Sequence, residues 1–324
     1  MRYLLTGGAG FIGHHVADCL LNRGDEVVIL DRLDCSGNLN RMPYIRDWEL
    51  VKTRCKWVHH DLRAPLHEML IKQIGHIDVI LHLAAATHID RSITDPVAFV
   101  LDNVVGTAHL LEYARKLPDL LQFLHFSTDE VFGPATGSQS FKEDDRYNSG
   151  NPYSASKAGA EQLVLSYWKT YDLPVKVRRC MNVFGERQHP EKFIPSTISK
   201  MRRGEGLTIF TAGLNRVVGS RIYLHTQTVV EALMFILAYG YLGESYNVVG
   251  DEEIDNIALA ERIGKIMGVS WDYQLSNSAR PGYDVRYAMD GGKLRDLGWR
   301  ATQLFEPLLE RTVEWSLQHP EWLS

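Results

Sequence analysis

The chain has 324 residues, with 35 Lys+Arg against 40 Asp+Glu, a formal net charge of −5. At roughly 150 residues per domain this length suggests about two folding units, and a chain near this size buries about 75% of its unfolded surface, so it needs no disulfide or metal staple. Its 45% apolar and 23% charged content excludes a disordered or fibrous chain, and mild acidity with scattered charge argues against a nucleic-acid or anionic-membrane surface.

Over the first 180 residues short apolar runs alternate with amphipathic stretches. Strands are predicted at residues 3–6, 26–31, 57–61, 78–83, 123–127 and 175–180, and helices at 12–22, 96–115 and 153–171. Near-continuous apolar strands alternating with helices predict a parallel sheet covered on both faces, an α/β doubly wound fold with ligands at the carboxyl ends of the strands. Beyond residue 180 the regularity fails. Glycine, proline and charge break up 182–219, and two short helical patterns follow around 257–267 and 305–318. The expected division is a sheet domain of 1–180 plus about 224–248, and a smaller discontinuous lobe of about 181–223 and 249–324.

Cys19, Cys35, Cys55 and Cys180 lie far apart without a C-x-x-C pair, so neither a disulfide framework nor a zinc site is expected, and they read as reduced thiols of a cytoplasmic protein. The 13 histidines, including His14-His15 and His59-His60, lack metal-site spacing, so no metal is expected. No apolar run approaches about 18 residues, which argues against a membrane span. The apolar run at residues 1–6 is too short for a signal peptide. The seven tryptophans read as packing residues.

Gly7-Gly8-Ala9-Gly10-Phe11-Ile12-Gly13 follows the first strand and opens the first helix. It contains G-x-G-x-x-G at Gly8, Gly10 and Gly13, and also three-residue spacing at Gly7, Gly10 and Gly13. Missing side chains let the backbone approach a pyrophosphate at the positive helix N-terminus. Asp31 ends the second strand, 18 residues beyond Gly13. A carboxylate there accepts hydrogen bonds from ribose hydroxyls and repels a 2′-phosphate, which favours NAD over NADP. Arg32, next in the chain, counts the other way.

Tyr153 and Lys157 stand four apart on one helix face, where an ammonium can lower a phenol's pKa and make a base. Thr128, ending the preceding strand, can join the same proton network. Asp129 and Glu130 follow it directly. A dehydration needs such a pair, because one group removes a carbon-bound proton while another protonates a departing hydroxyl.

The glycine loop with Tyr153-x-x-x-Lys157 resembles the extended branch of the short-chain dehydrogenase/reductase family. Thr128-Asp129-Glu130, Asp31-Arg32-Leu33-Asp34, His88-Ile89-Asp90-Arg91-Ser92, Asn151-Pro152-Tyr153-Ser154-Ala155-Ser156-Lys157, Pro190-Glu191-Lys192-Phe193-Ile194-Pro195 and Arg280-Pro281-Gly282-Tyr283 make it similar, almost end to end, to the NDP-hexose 4,6-dehydratases. That resemblance implies tightly held NAD and a dTDP- or UDP-glucose substrate. Tyr153 would take the C4 hydroxyl proton as hydride leaves C4. Glu130 would remove the C5 proton and Asp129 protonate the C6 hydroxyl as water departs. Hydride would then return to C6. Lys157 would tune Tyr153 and hold the ribose, and Thr128 would position the C4 oxygen.

By the same resemblance Gly7, Gly10, Phe11, Ile12, Gly13, Asp31, Arg32, Leu33, Asp61, Leu62, Leu83, Ala84 and Ala85, with Tyr153 and Lys157, would hold the cofactor. Thr87, Asn182, Lys192, Phe193, Asn247, Arg280 and Tyr283 would hold the nucleotide sugar, with Arg216 or Arg221 as a further diphosphate contact. The chain departs from the family at Ala86-Thr87, across 216–225, and at Tyr283, where a histidine is usual. A homodimer built from the 153–171 helix and the 96–115 stretch is also implied. Rival readings are a 4-epimerase or a 5,6-dehydratase on the same fold, and a non-catalytic NAD-binding regulator. Asp129 with Glu130 argues against epimerisation, and the five catalytic candidates together argue against a silent protein.

Overall fold

The computed structural model describes residues 1–212, 217–277 and 285–324. Its strands are β1 (Arg2–Thr6), β2 (Glu26–Asp31), β3 (Cys55–His59), β4 (Val79–His82), β5 (Gln122–Thr128), β6 (Val175–Cys180), β7 (Asn182–Phe184), β8 (Leu207–Ala212), β9 (Val217–Val218), β10 (Ser220–His225), β11 (Ser245–Val248), β12 (Glu253–Asp255) and β13 (Tyr273–Ser276). Seven of them form one sheet in the order β11-β6-β5-β4-β1-β2-β3, with every pairing parallel.

Period-two alternation explains why this sheet is covered on both faces. Tyr3, Leu5, Val27 and Ile29 join one core, with Val16, Leu20, Leu233 and Ile236 of the flanking helices. Leu4, Val28, Leu30 and Ile80 join the opposite core, with Leu110, Leu111 and Val164. The strand order reverses between β1 and β4, which leaves a crevice at their carboxyl ends.

A third core gathers Phe184, Ile194, Ile198, Ile209, Leu259, Ile263, Leu309 and Val313. Around it stand the small sheets β12-β10-β7 and β13-β8-β9. Tyr287, Met289, Leu294 and Trp299, late in the chain, pack into the first core instead.

Three local departures from the sequence reading have physical causes. First, β3 ends at His59, two residues before the expected limit, because the Asp61 carboxylate accepts the Arg63 N–H and turns the chain. Second, the expected helix over 96–115 is interrupted by a π turn, Val100–Val105. Such turns insert a residue and re-aim side chains, often at functional sites. Third, a helix at Phe193–Arg202 was hidden by proline, and Pro195 is tolerated because it lies in the first turn.

The longest helix, Pro152–Tyr171, begins with a reciprocal cap. Asn151 accepts the Ser154 N–H through its side chain while Ser154 Oγ donates to and accepts from the Asn151 backbone. It ends at Asp172 in the left-handed conformation (φ 54°). Among the described residues no helix is long and apolar enough to cross a membrane. Nor does any described group of three His, Cys, Asp or Glu stand where it could hold a metal.

Candidate active site

A single cleft of about 830 Å³ runs across the carboxyl ends of β1, β4, β5 and β6. At one end the glycine loop wraps under the first helix. Gly7 has φ +71°, and a Cβ there would stand 2.8 Å from the Ala84 nitrogen. A Cβ on Gly13 would stand 2.2 Å from the Gly7 oxygen. The helix Phe11–Asn22 starts at Gly10 with no side-chain cap and no acidic residue in its first turn. Its free N–H groups and positive dipole end therefore face the cleft, which is what a pyrophosphate requires. His14 flanks this loop as an almost wholly buried neutral ring, its Nδ1 3.1 Å from the Gly10 oxygen and its pKa driven well down by burial.

Asp31 is held by backbone. Its Oδ2 accepts the Ala9 N–H at 3.0 Å and its Oδ1 the Leu33 N–H at 2.9 Å. Gly7, Gly10, Phe11, Ile12, Gly13, Asp31, Arg32, Asp61, Leu62, Leu83, Ala84 and Ala85 all line the cleft. Leu33 does not; with φ 57° it contributes its N–H to Asp31 and turns its side chain outward. These residues fit an NAD whose pyrophosphate meets the helix start and whose ribose hydroxyls meet Asp31.

At the other end the end of β5 and the start of the Pro152–Tyr171 helix bring Thr128, Asp129, Glu130, Tyr153 and Lys157 to the same wall. Thr128 Oγ1 donates to Asp129 Oδ1 at 3.0 Å and accepts the Glu130 N–H at 3.4 Å. Asn151 Nδ2 donates to Glu130 Oε2 at 3.3 Å. Asp129 is 4% exposed, and its Oδ2 has no hydrogen-bond partner among the described residues.

Burial sets the ionisation here. It raises Asp129 to about 6, opposed by the Thr128 hydrogen bond. Burial and the neighbouring Asp129 charge raise Glu130 to about 7. The two carboxyls therefore titrate as one unit that holds about one proton near neutrality. Tyr153 is raised well above the ordinary phenol value, first by burial and then by the Glu130 charge. Lys157 is lowered to about 8 by burial, and its Nζ donates to the Phe126 carbonyl at 2.5 Å. The expected lowering of the phenol by Lys157 is thus outweighed in this pocket by desolvation.

Of the residues expected to meet the sugar nucleotide, Thr87, Asn182, Lys192 and Phe193 line the cleft. Asn247 does not, and the expectation is corrected. It is fully buried in β11, where Nδ2 donates to the Phe141 and Asp290 carbonyls at 3.1 and 3.2 Å and Oδ1 accepts from Arg179 at 3.3 Å. Every polar atom of its side chain is engaged in packing the sheet edge. Arg280, Tyr283 and Arg216 lie outside the described residues. Arg221 donates to the Ser220 and Val285 carbonyls and covers the Tyr287 ring, and its charge reaches both Asp129 and Glu130.

Sequence reasoning passed over several cleft residues. Asp102 accepts from both Arg32 and Arg63 beside the adenosine end. Arg41, nearly buried, donates to the Ala9 and Ser36 carbonyls beneath the glycine loop. Nothing in local spacing marks Asp102 or Arg41, whereas Asn151 before Pro152 is an ordinary helix-start signal.

The family model described as GDP-mannose 4,6 dehydratase matches residues 4–312. A dTDP-glucose 4,6-dehydratase of Salmonella typhimurium is 37% identical, over 100% of this chain and 95% of its own length. A low-salt glycan biosynthesis protein of Haloferax volcanii is 39% identical, over 99% of this chain and 100% of its own. The crystal structure of a dTDP-glucose 4,6-dehydratase from Streptomyces venezuelae with NAD and TYD bound superposes with a TM-score of 0.90 at 35% identity, covering 99% of this chain and 98% of that one. A UDP-glucose 4-epimerase of Thermus thermophilus with NAD superposes at 0.87 with 27% identity, covering 97% and 98%. The backbone alone is therefore common to two chemistries. By its sequence along nearly its whole length, the chain belongs to the GDP-mannose 4,6-dehydratase family.

Proposed function

We propose that this protein is an NAD-dependent hydro-lyase that converts an NDP-hexose, dTDP- or UDP-glucose, to the NDP-4-keto-6-deoxyhexose. The observation that carries the reading is the pair Asp129–Glu130, sharing about one proton near neutral pH next to Tyr153 in the cofactor cleft. A 4-epimerase has no water to expel and no use for that pair.

NAD bound in the glycine cradle would supply a hydride acceptor at C4 and a donor at C6. The chain's own groups do the rest. Tyr153 receives the C4 hydroxyl proton, and a cationic ring beside it would oppose the burial that holds the phenol up. Once C4 is a ketone, Glu130 removes the acidified C5 proton and Asp129 delivers one to the C6 hydroxyl. These roles require Asp129 protonated and Glu130 ionised when sugar is bound. Thr87, Asn182, Lys192 and Phe193 would hold the nucleotide diphosphate, with Lys192 as the cation.

The test is to incubate NAD-loaded protein in heavy water with thymidine, uridine, cytidine and guanosine diphosphate glucose. The expected product is lighter by one water and carries deuterium at C5. Epimerised sugar without water loss would overturn the reading. We further propose a cytoplasmic homodimer and the two-unit division given by the sequence. Val97, Val100 and Leu101 are 65%, 47% and 39% exposed along one stretch of the 96–115 segment, an apolar stripe suited to a subunit contact. Sedimentation at micromolar concentration checks the dimer.

A further inference from the structure

The guanidinium of Arg32 follows Asp31, the position from which an arginine can accept the 2′-phosphate of NADP. A guanidinium has five N–H donors, and here all of them are engaged. Nε and Nη2 donate to Asp34 Oδ2 at 3.1 and 2.7 Å. Nη2 also meets Asp102 Oδ2 at 2.9 Å, while Nη1 meets Asp102 Oδ1 at 2.5 Å and Asp61 Oδ1 at 3.4 Å.

Asp102 differs from the other two carboxylates. It sits in the π turn Val100–Val105, far along the chain from β2, and its side chain is 8% exposed against 38% for Asp34 and 42% for Asp61. It grips Arg32 at two points and takes Arg63 Nε as well. A buried two-point pair of this kind is the strong form of the interaction, whereas the exposed contacts contribute little. Asp34, Asp61 and Asp102 together set three negative charges around the Arg32 and Arg63 guanidinium groups.

We propose that Asp102 is a cofactor-specificity residue: by clamping Arg32 it withdraws that guanidinium from a 2′-phosphate and enforces NAD over NADP. The role belongs to a residue that precedes no glycine motif and follows no strand, and it rests on the NAD reading above. A phosphate entering beside Asp31 must break the clamp and also approach the Asp31 carboxylate. NAD, with a hydroxyl there, leaves the clamp intact.

The experiment equilibrates stripped protein with an equimolar mixture of NAD and NADP and measures the bound ratio by chromatography of the released nucleotides, with no turnover needed. Asp102→Asn keeps the shape, removes the charge and is expected to raise the NADP-to-NAD ratio about tenfold. Arg32→Gln added to Asp102→Asn is expected to cancel that rise, because Arg32 is the agent set free. Should Asp102→Asn fail to fold, Asp102→Ser removes the same charge from a smaller side chain and the comparison is unchanged. An unmoved ratio overturns the proposal, as does a rise that persists without Arg32. Wild-type protein that binds neither dinucleotide overturns the cofactor reading and this proposal with it.

Discussion

At the dinucleotide end of the cleft, main-chain geometry makes the site. The loop at Gly7 and Gly13 leaves no room for a Cβ, the helix start is uncapped, and Asp31 is fixed by two backbone N–H groups. At the sugar end, ionisation makes the site. Asp129, Glu130, Tyr153 and Lys157 all have burial as the first cause of their displaced pKa values. The first end therefore works by shape and is broken by adding atoms. The second works by proton placement and is broken by removing charge with the shape unchanged.

The largest effect is expected from that second kind of change. Glu130→Gln keeps the volume and removes the base, so turnover should fall by about 10²- to 10⁴-fold, measured as water loss from the sugar. NAD should still bind within a factor of two or three, because Glu130 stands at the opposite end of the cleft. A variant that lost NAD affinity in parallel with turnover would show that the two ends are not separable.

Gly13→Ala asks the converse. The new methyl would lie 2.2 Å from the Gly7 oxygen and 2.7 Å from the Gly8 Cα, both backbone atoms that cannot rotate away. The loop must shift, and NAD affinity is expected to fall about 100-fold with a loss of a few kcal/mol in stability. Calorimetric titration and thermal melts read both. Unchanged NAD binding would mean that the loop adapts and that shape is not what governs this end.

How much of this was legible in the sequence follows the same division. Backbone-built features were readable because glycine spacing and strand period are local rules: β2, β6 and the Phe305–Gln318 helix stand where apolar spacing put them. Thr128, Asp129, Glu130, Tyr153 and Lys157, picked out by their spacing, line one cleft. Their charge states were not readable, since desolvation depends on what the fold packs around them. Asn247 failed for a related reason. An amide can serve a ligand or a core, and only the Phe141, Asp290 and Arg179 partners decide which. Asp102 had no local signal at all, because the π turn that presents it is invisible to a 3.6-residue period.

Ionisation set by burial also has a stability consequence. A carboxyl whose folded pKa is raised from 3.8 to about 6 binds its proton more tightly when folded, so its contribution is fully present below about pH 3.8 and is lost as pH rises through about 6. Ionised Asp129 therefore costs stability above neutrality. At about 1.4 kcal/mol per pKa unit, Asp129→Asn should stabilise the fold by roughly 2–3 kcal/mol at pH 8 and by almost nothing at pH 3.5, while lowering turnover. Melts at the two pH values check it. Equal effects at both would mean that Asp129 is not desolvated.

The smallest and most discriminating change falls on Asn151, which does two jobs with one side chain. Its Oδ1 caps the catalytic helix through the Ser154 N–H at 2.9 Å, while its Nδ2 donates to Glu130 at 3.3 Å. Serine caps a helix about as well as asparagine but offers no amide donor. Asn151→Ser should leave the melting temperature within about 2 °C, since a cap exchange amounts to a few tenths of a kcal/mol. A hydrogen bond to a carboxylate favours its charged form, so losing the donor moves Glu130 upward. The wild-type rate should be bell-shaped, with limbs near pH 6 and pH 7 from the shared proton. In the variant the limb that reports Glu130 shifts to higher pH, with a loss of a few-fold at pH 6.5. If the melt drops and the profile stays, Asn151 is only a cap, and the wall that joins the helix to the base is shape after all.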